Sequence, residues 1–151
     1  MKRRFYFATL LLASVLQISS QALPPVANGW LVFERVKFTS QFYQEFDEYF
    51  LTPFFDSKIR QYENQEIILK GHYMPFDLDD KNVIILSKYP YAACFFCGGA
   101  GPESVAEIVF RVKPPRFKTD QVIQVSGKLK LNGKDVNHLN FILTEAILLT
   151  Q

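Results

Sequence analysis

The sequence has few of the residues and none of the motifs on which common enzyme classes depend. Of its 151 residues only two are cysteines and two are histidines. No Gly-x-Ser-x-Gly elbow, His-Glu-x-x-His motif, phosphate loop or paired Cys/His nucleophile occurs. These absences argue against an ordinary hydrolase or nucleotide enzyme. The sequence therefore favours a protein that is not an enzyme.

A hydrophobic run long enough to cross a membrane is also lacking. The apolar stretch Phe5 to Leu16 follows the basic residues 2–4 and is shorter than the roughly 20 residues that a spanning helix needs. A basic start, a short apolar run and the small residues Ser20 and Ala22 are typical of a secretory signal peptide. We predict a signal peptide over residues 1–22, with an uncleaved N-terminal anchor as the alternative. The predicted location is therefore outside the cytosol.

Removal of this segment leaves no excess of positive charge. The whole chain has 17 basic and 15 acidic side chains, and residues 1–22 contain three of the basic ones and none of the acidic ones. The mature chain, residues 23–151, would have 14 basic and 15 acidic side chains and a net charge of −1. Nucleic-acid binders normally present a basic field to the phosphates. We therefore expect no nucleic-acid partner, and no transmembrane span in the mature chain.

The mature chain is the length of one domain, and several of its segments alternate apolar and polar residues with a period of two. Such alternation is typical of half-buried strands. Turn residues separate the segments at short intervals, which favours a sandwich or barrel. Gly71 and Gly127 interrupt two of the strands and indicate a small, strongly coiled barrel. The predicted strands are Leu31 to Phe38, Ile67 to Met74, Val83 to Leu86, Ala106 to Val112, Gln121 to Asn132 and Phe141 to Leu149.

Residues 38–55 show a different pattern. Their aromatic residues recur at intervals of three and four, which is helical spacing, and Pro53 would end such a helix. We predict a short helical excursion whose aromatic side chains plug the end of the barrel.

In the predicted strand 106–112, the alternation of apolar and polar residues with a period of two places Glu107 on the solvated face.

Three stretches of the chain resemble a family of uncharacterised exported bacterial proteins. They are "LKGHYMPF" at 69–76, "ILSKYPYAACFFCGGAGPES" at 85–104 and "VSGKLKLN" at 125–132, and the most specific part is C-F-F-C-G-G-A-G-P-E. The likeness covers nearly the whole mature chain. It implies an oligonucleotide/oligosaccharide-binding (OB) barrel and no activity. It also implies an exported location, in the periplasm or cell envelope of a bacterium, or secretion. A related exported family has a Cys-x-x-His pair at the corresponding turn, and an aromatic residue is usual where His72 stands here. The expected fold is a small OB-like barrel, closed or partly open, with one short helical excursion.

Cys94 and Cys97 mark the main candidate site, and three interpretations remain open for them. Cysteines of exported proteins usually form disulfides, and this one would pin the loop between Tyr89 and Pro102. Cys-x-x-Cys-Gly can also contribute two thiolates to zinc or another transition metal. A thiol-redox pair is the third interpretation, although the glycines that follow oppose the helix that would lower a thiol pKa.

Other residues support the site more weakly. Glu103, close in sequence, and His72 are the candidates for further metal ligands, but no spacing brings His72 to the cysteines. We predict that the shape of the cysteine-containing loop depends on Gly98, Gly99, Gly101 and Pro102. The leading functional hypothesis is a non-enzymatic binding or interaction module of the cell envelope, with an envelope protein, a glycan or a small ligand as its partner. The alternative is a metal-binding or thiol-redox protein centred on Cys94 and Cys97.

Overall fold

A computed structural model describes residues 24–150, with only the backbone described for Thr150. The predicted signal peptide lies outside the described residues. Three single-turn 3-10 helices occupy Tyr91–Ala93, Phe95–Cys97 and Pro102–Ser104. The other elements are α1 (Trp30–Phe33), β1 (Lys37–Tyr43), β2 (Glu48–Phe54), α2 (Ser57–Arg60), β3 (Glu66–Met74), β4 (Val83–Ser87), β5 (Val105–Phe110), β6 (Val122–Leu131) and β7 (Phe141–Thr150). None of the helices within 24–150 is long and apolar enough to span a bilayer.

Strands β3 to β7 form a closed barrel in the order β3-β4-β5-β7-β6, with β6 returning to β3. Strands β5 and β7 run parallel, and every other neighbouring pair is antiparallel. Closure leaves the barrel no free sheet edge. The predicted mainly β, OB-like barrel is therefore confirmed.

The period-two alternation of the strands builds the core. In β6, Ile123, Val125 and Leu129 point inwards and are buried, while Lys128 and Lys130 are exposed. Residues Ile84 to Leu86 are all buried, as expected for a strand covered on both faces. Four of the predicted barrel strands agree with the observed ones to within about a residue at each end. The fifth, β5, ends at Phe110, two residues before the predicted end, and Val112 is exposed.

A side chain at either of the two strand glycines would meet close neighbours. A Cβ on Gly71 would lie 2.4 Å from the carbonyl oxygen of Ser87 on the next strand. Near Gly127 the register of β6 against β7 shifts between Ser126 and Lys128. Both positions allow the close backbone approach and the bulge that a small barrel requires.

The chain entering the barrel is not the strand predicted for 31–38. It forms helix α1, which lies over one end of the barrel with Trp30 and Phe33 buried. The Phe33 ring stacks on Phe141 with 4.1 Å between centroids, and Trp30 Nε1 donates to the carbonyl of Lys70 at 2.8 Å. The strand propensity of this segment is overridden, because the apolar side chains of residues 30, 32 and 33 pack on the core from a single helical turn.

The helix predicted for 38–55 is also wrong. Strands β1 and β2 form an antiparallel hairpin, with Lys37 opposite Phe54 and Tyr43 opposite Glu48. Phe38 of the hairpin packs against Phe141 in the barrel core, whereas five other large apolar residues of the hairpin are exposed. The plug at the barrel end is therefore α1, helped by Phe38 and Phe55. Residues 49–53 of the hairpin line a cleft together with Phe95 and residues of the segment 133–140.

Candidate functional site

One cleft of the barrel lies on the outer face of β4 and β5. Two loops flank it: residues 75–82 join β3 to β4, and residues 132–140 join β6 to β7. This face and the two corresponding loops are where OB barrels bind their ligands. The cleft, which we call the loop cleft, has a volume of about 460 Å³. That volume suits a small ligand or one side chain of a larger one. Its lining residues are Phe76, Leu78, Asp79, Asp80, Val83, Ile85, Phe96, Glu107, Val136, Asn137, His138 and Leu139.

A small second core supports the loop cleft from below. Met74, Ile85 and Cys94 are buried together outside the barrel, and Leu78 and Leu139 pack against them. These residues come from two barrel strands and from three different loops. The packing therefore holds the loops at fixed positions around the cleft.

Glu107 is the one charged residue that is buried among those the structure describes. Its side chain points away from the barrel core, yet only 7% of it is exposed, because the β6–β7 loop covers it. His138 Nδ1 lies 3.0 and 3.1 Å from its two oxygens, and the Leu139 amide donates to it at 3.3 Å. A carboxylate only accepts hydrogen bonds, so Nδ1 of His138 is the donor. The Nε2 atom of His138, whose side chain is half exposed, is then left for a ligand.

Two phenylalanines line the same cleft as this pair. The rings of Phe76 and Phe96 meet edge to face with 4.5 Å between centroids, and 39% and 44% of these residues is exposed. Exposed aromatic rings beside a few fixed polar groups are typical of ligand sites.

The lining carries negative charge and no lysine or arginine. Asp79, Asp80 and Glu107 supply three carboxylates. The nearby Lys81 ammonium turns to Asp77 at 2.9 Å, a hydrogen bond that lowers the pKa of Asp77 and raises that of Lys81. A phosphate group would be repelled by such a lining, whereas a neutral or cationic ligand would be accepted.

The predicted cysteine site lies beside the loop cleft. Cys94 is buried in the second core and Cys97 is exposed, with 3.9 Å between the two sulfurs. Phe95 and Phe96 stand between them in the chain and line different clefts. The turn of Cys94 and Cys97 therefore positions an aromatic wall of the loop cleft.

The environment of Cys97 does not favour a reactive thiol. Its contact with the Cys94 sulfur raises the pKa of the Cys97 thiol, and partial desolvation acts in the same direction. Reactive redox cysteines have lowered pKa values. The 3-10 helix that holds Cys97 is only three residues long.

The weaker candidates do not join the cysteines. His72 lies on β3, where its Nδ1 is 3.3 Å from the carbonyl oxygen of Asp120. Glu103 lies in the 3-10 helix after Gly101. Within residues 24–150 no group of three or more His, Cys, Asp or Glu side chains could hold a metal ion. Zinc binding stays a prediction. The described residues supply two sulfur ligands for it, those of Cys94 and Cys97.

The residues assigned to loop shape lie in the cysteine turn and directly after it. Gly98 ends the cysteine turn in the left-handed conformation, with φ of 75°. A Cβ on Gly99 would lie 2.8 Å from the carbonyl oxygen of Ala93, and one on Gly101 would meet the Glu103 carboxylate. Pro102 is buried at the start of its 3-10 helix.

The Glu107–His138 pair was not predicted from the sequence. The alternation in β5 placed Glu107 on the solvated face, and it does point outwards, but the loop 31 residues later covers it. An acidic residue inside the otherwise apolar stretch 105–110 was the only signal in the sequence.

No family model matches the sequence, and no curated protein matches it either. What the chain does is therefore inferred from the geometry of the loop cleft.

Proposed function

We propose that this domain is a non-enzymatic binding module of the bacterial cell envelope whose loop cleft takes a saccharide ring. One observation carries the proposal: a buried carboxylate, held by His138 and a backbone amide, lines the same cleft of about 460 Å³ as two exposed phenylalanine rings.

The chemistry of the cleft suits a sugar. Phe76 and Phe96 offer apolar ring surfaces, which the C–H faces of a pyranose can cover. His138, Asn137 and the aspartates offer donors and acceptors for hydroxyl groups. OB barrels bind oligosaccharides or oligonucleotides at this face, and the carboxylates oppose the second class.

The test is an NMR titration of the ¹⁵N-labelled mature chain with neutral saccharides, for example N-acetylglucosamine and its short oligomers. We expect shifts of the amides of Ile85, Glu107 and Leu139 that saturate. Phe96→Ala should weaken binding about ten-fold or more, since loss of one stacked ring costs on the order of 1–2 kcal/mol. Phe54→Ala, which removes an exposed ring outside the cleft, is the matched control and should leave binding unchanged.

Shifts produced only by peptides or other small molecules would keep the cleft as a binding site and reject the sugar. The absence of any saturable shift from saccharides, peptides and small-molecule ligands would reject the module itself.

The distance of 3.9 Å between the sulfurs supports a second candidate, a metal-binding or thiol-redox function at Cys94 and Cys97. Thiol titration and elemental analysis of protein purified from the periplasm separate its versions. Bound zinc in stoichiometric amount would support the metal function. A disulfide that resists reduction by glutathione would leave only a structural role.

A further inference from the structure

The β1–β2 hairpin is an incomplete element. Within the described chain its two strands pair only with each other, so both of its edges present unpaired backbone groups. Isolated two-stranded hairpins are marginally stable in water, and open edges readily accept another strand.

The hairpin also exposes apolar side chains on both faces. Residues opposite each other share a face, so Phe42 and Tyr49 lie on one side, and Lys37 and Phe54 lie on the other. The exposed fractions reach 49% for Phe42, 44% for Phe46, 68% for Tyr49, 48% for Leu51 and 67% for Phe54. Exposed apolar side chains grouped in this way are typical of a surface that binds another protein.

Charge is divided between the two ends of the hairpin. Its tip carries the carboxylates of Glu45, Asp47 and Glu48, none of which forms a salt bridge within residues 24–150. Its base is basic. The charged side chains there are Arg35, Lys37, Lys58 and Arg60, with Asp56, which caps α2, and Glu34, which pairs with Lys88.

We propose that the occupant of this surface is a second copy of the same chain, joined edge to edge through β1 about a two-fold axis. Antiparallel pairing of two hairpins about 20 Å long places the acidic tip of each copy beside the basic base of the other. A different partner protein would need its own complementary arrangement of charges, whereas the charges of two copies of this hairpin already complement each other.

The edge of β1 is better suited to the pairing than that of β2. Strand β1 contains no proline, while Pro53 removes a backbone donor from β2. Full overlap of the seven residues of β1 sets Ser40 opposite Ser40 of the second copy. Phe38 then faces Phe42 of the second copy on the same side of a four-stranded sheet.

Sedimentation equilibrium of the mature chain at low ionic strength tests the proposal, and we expect the mass of two copies. The tip-reversed variant combines Glu45→Lys with Glu48→Lys, and the base-reversed variant combines Arg35→Glu with Lys37→Glu. Each variant alone should dissociate, with a dissociation constant raised about ten-fold or more. An equimolar mixture of the two should dimerise again, because each reversed end then meets its opposite.

The matched control combines Arg116→Glu with Lys118→Glu on the β5–β6 loop and should remain a dimer. A single-copy mass for the wild type at all concentrations would overturn the proposal, as would folded reversed variants that stay monomeric when mixed.

A cross-link locates the edge without altering charge. Opposed residues of an antiparallel pair have Cα atoms about 4.5–5.5 Å apart, within reach of a disulfide. Ser40→Cys should therefore give a covalent dimer under mild oxidation, and Leu51→Cys on β2 should not. The reverse result would overturn the assignment to β1.

Discussion

At the scale of single residues, Glu107 departs most from what its position in the sequence indicates. An outward-pointing glutamate on a barrel strand is normally solvated, but here a loop covers it and supplies both of its hydrogen-bond partners. Such a carboxylate stays in place only while His138 and the Leu139 amide hold it, since a buried charge without partners is costly.

Replacement of Glu107 should therefore destabilise the fold. Glu107→Gln keeps the shape and weakens the charge-assisted bond with His138, so the free energy of unfolding should fall by about 1–2 kcal/mol in urea titrations. Glu145→Gln is the matched control. Its two ion pairs, with Arg111 and Lys128, are exposed and screened, and its effect should be clearly smaller. Equal effects of the two changes would contradict the buried role of Glu107.

Gly71 should tolerate no side chain. The Cβ of Gly71→Ala would approach the Ser87 carbonyl oxygen to 2.4 Å and push β3 from β4, so we expect a loss of about 1–3 kcal/mol. Gly133→Ala provides the comparison, because its Cβ would have no neighbour closer than 3.5 Å. Its stability should change by less than about 0.5 kcal/mol. Thermal or urea unfolding measures both, and a neutral Gly71→Ala would show that the barrel can widen there.

At the scale of elements, the loop between β4 and β5 joins the cysteines to the loop cleft. Cys94 is part of the packing below the cleft, whereas Cys97 lies at the surface. The two cysteines, identical in the sequence motif, therefore have different structural roles.

That difference predicts unequal effects of serine substitution. In reducing buffer, Cys94→Ser places a hydroxyl in an apolar core and should lower the free energy of unfolding by about 1–3 kcal/mol. Cys97→Ser should have little effect there, because its side chain is exposed. Without reductant, matching losses in the two variants would indicate that a disulfide stabilises the native protein.

Elements also differ in how far the sequence predicts them. Strand β6 follows from its alternation, because one of its faces lies on a core and the other in water. The same alternation does not reveal the strands of the hairpin, because its aromatic residues occupy both faces of the two strands. The spacing of Phe38, Phe42 and Phe46 then imitates a helix. Only pairing across the turn at Asp47, which has φ of 52°, reveals the two strands.

At the scale of the whole molecule, the barrel and the segment that plugs it share one core. Trp30 and Phe33 of α1 belong to the same cluster of buried side chains as residues of all five barrel strands. The plug and the barrel should therefore unfold together in a single transition.

Phe33→Ala tests this unity. Loss of a fully buried ring that stacks on Phe141 should cost about 3–5 kcal/mol. The neighbouring Leu31→Ala, with 55% of Leu31 exposed, should cost less than about 1 kcal/mol. The fluorescence of Trp30, the single tryptophan, and far-UV circular dichroism should report the same midpoint in each variant. Separate midpoints would show that α1 melts before the barrel.

The sequence by itself determined that this chain forms a small barrel of short strands, because alternating burial leaves its mark residue by residue. It also located the cysteine turn and its glycines, whose φ angles and close contacts are local. Tertiary structure alone decided that Glu107 is buried, that Phe76 and Phe96 meet, and that α1 closes the barrel. These contacts join residues distant along the chain, and no local pattern records which loop will cover which strand.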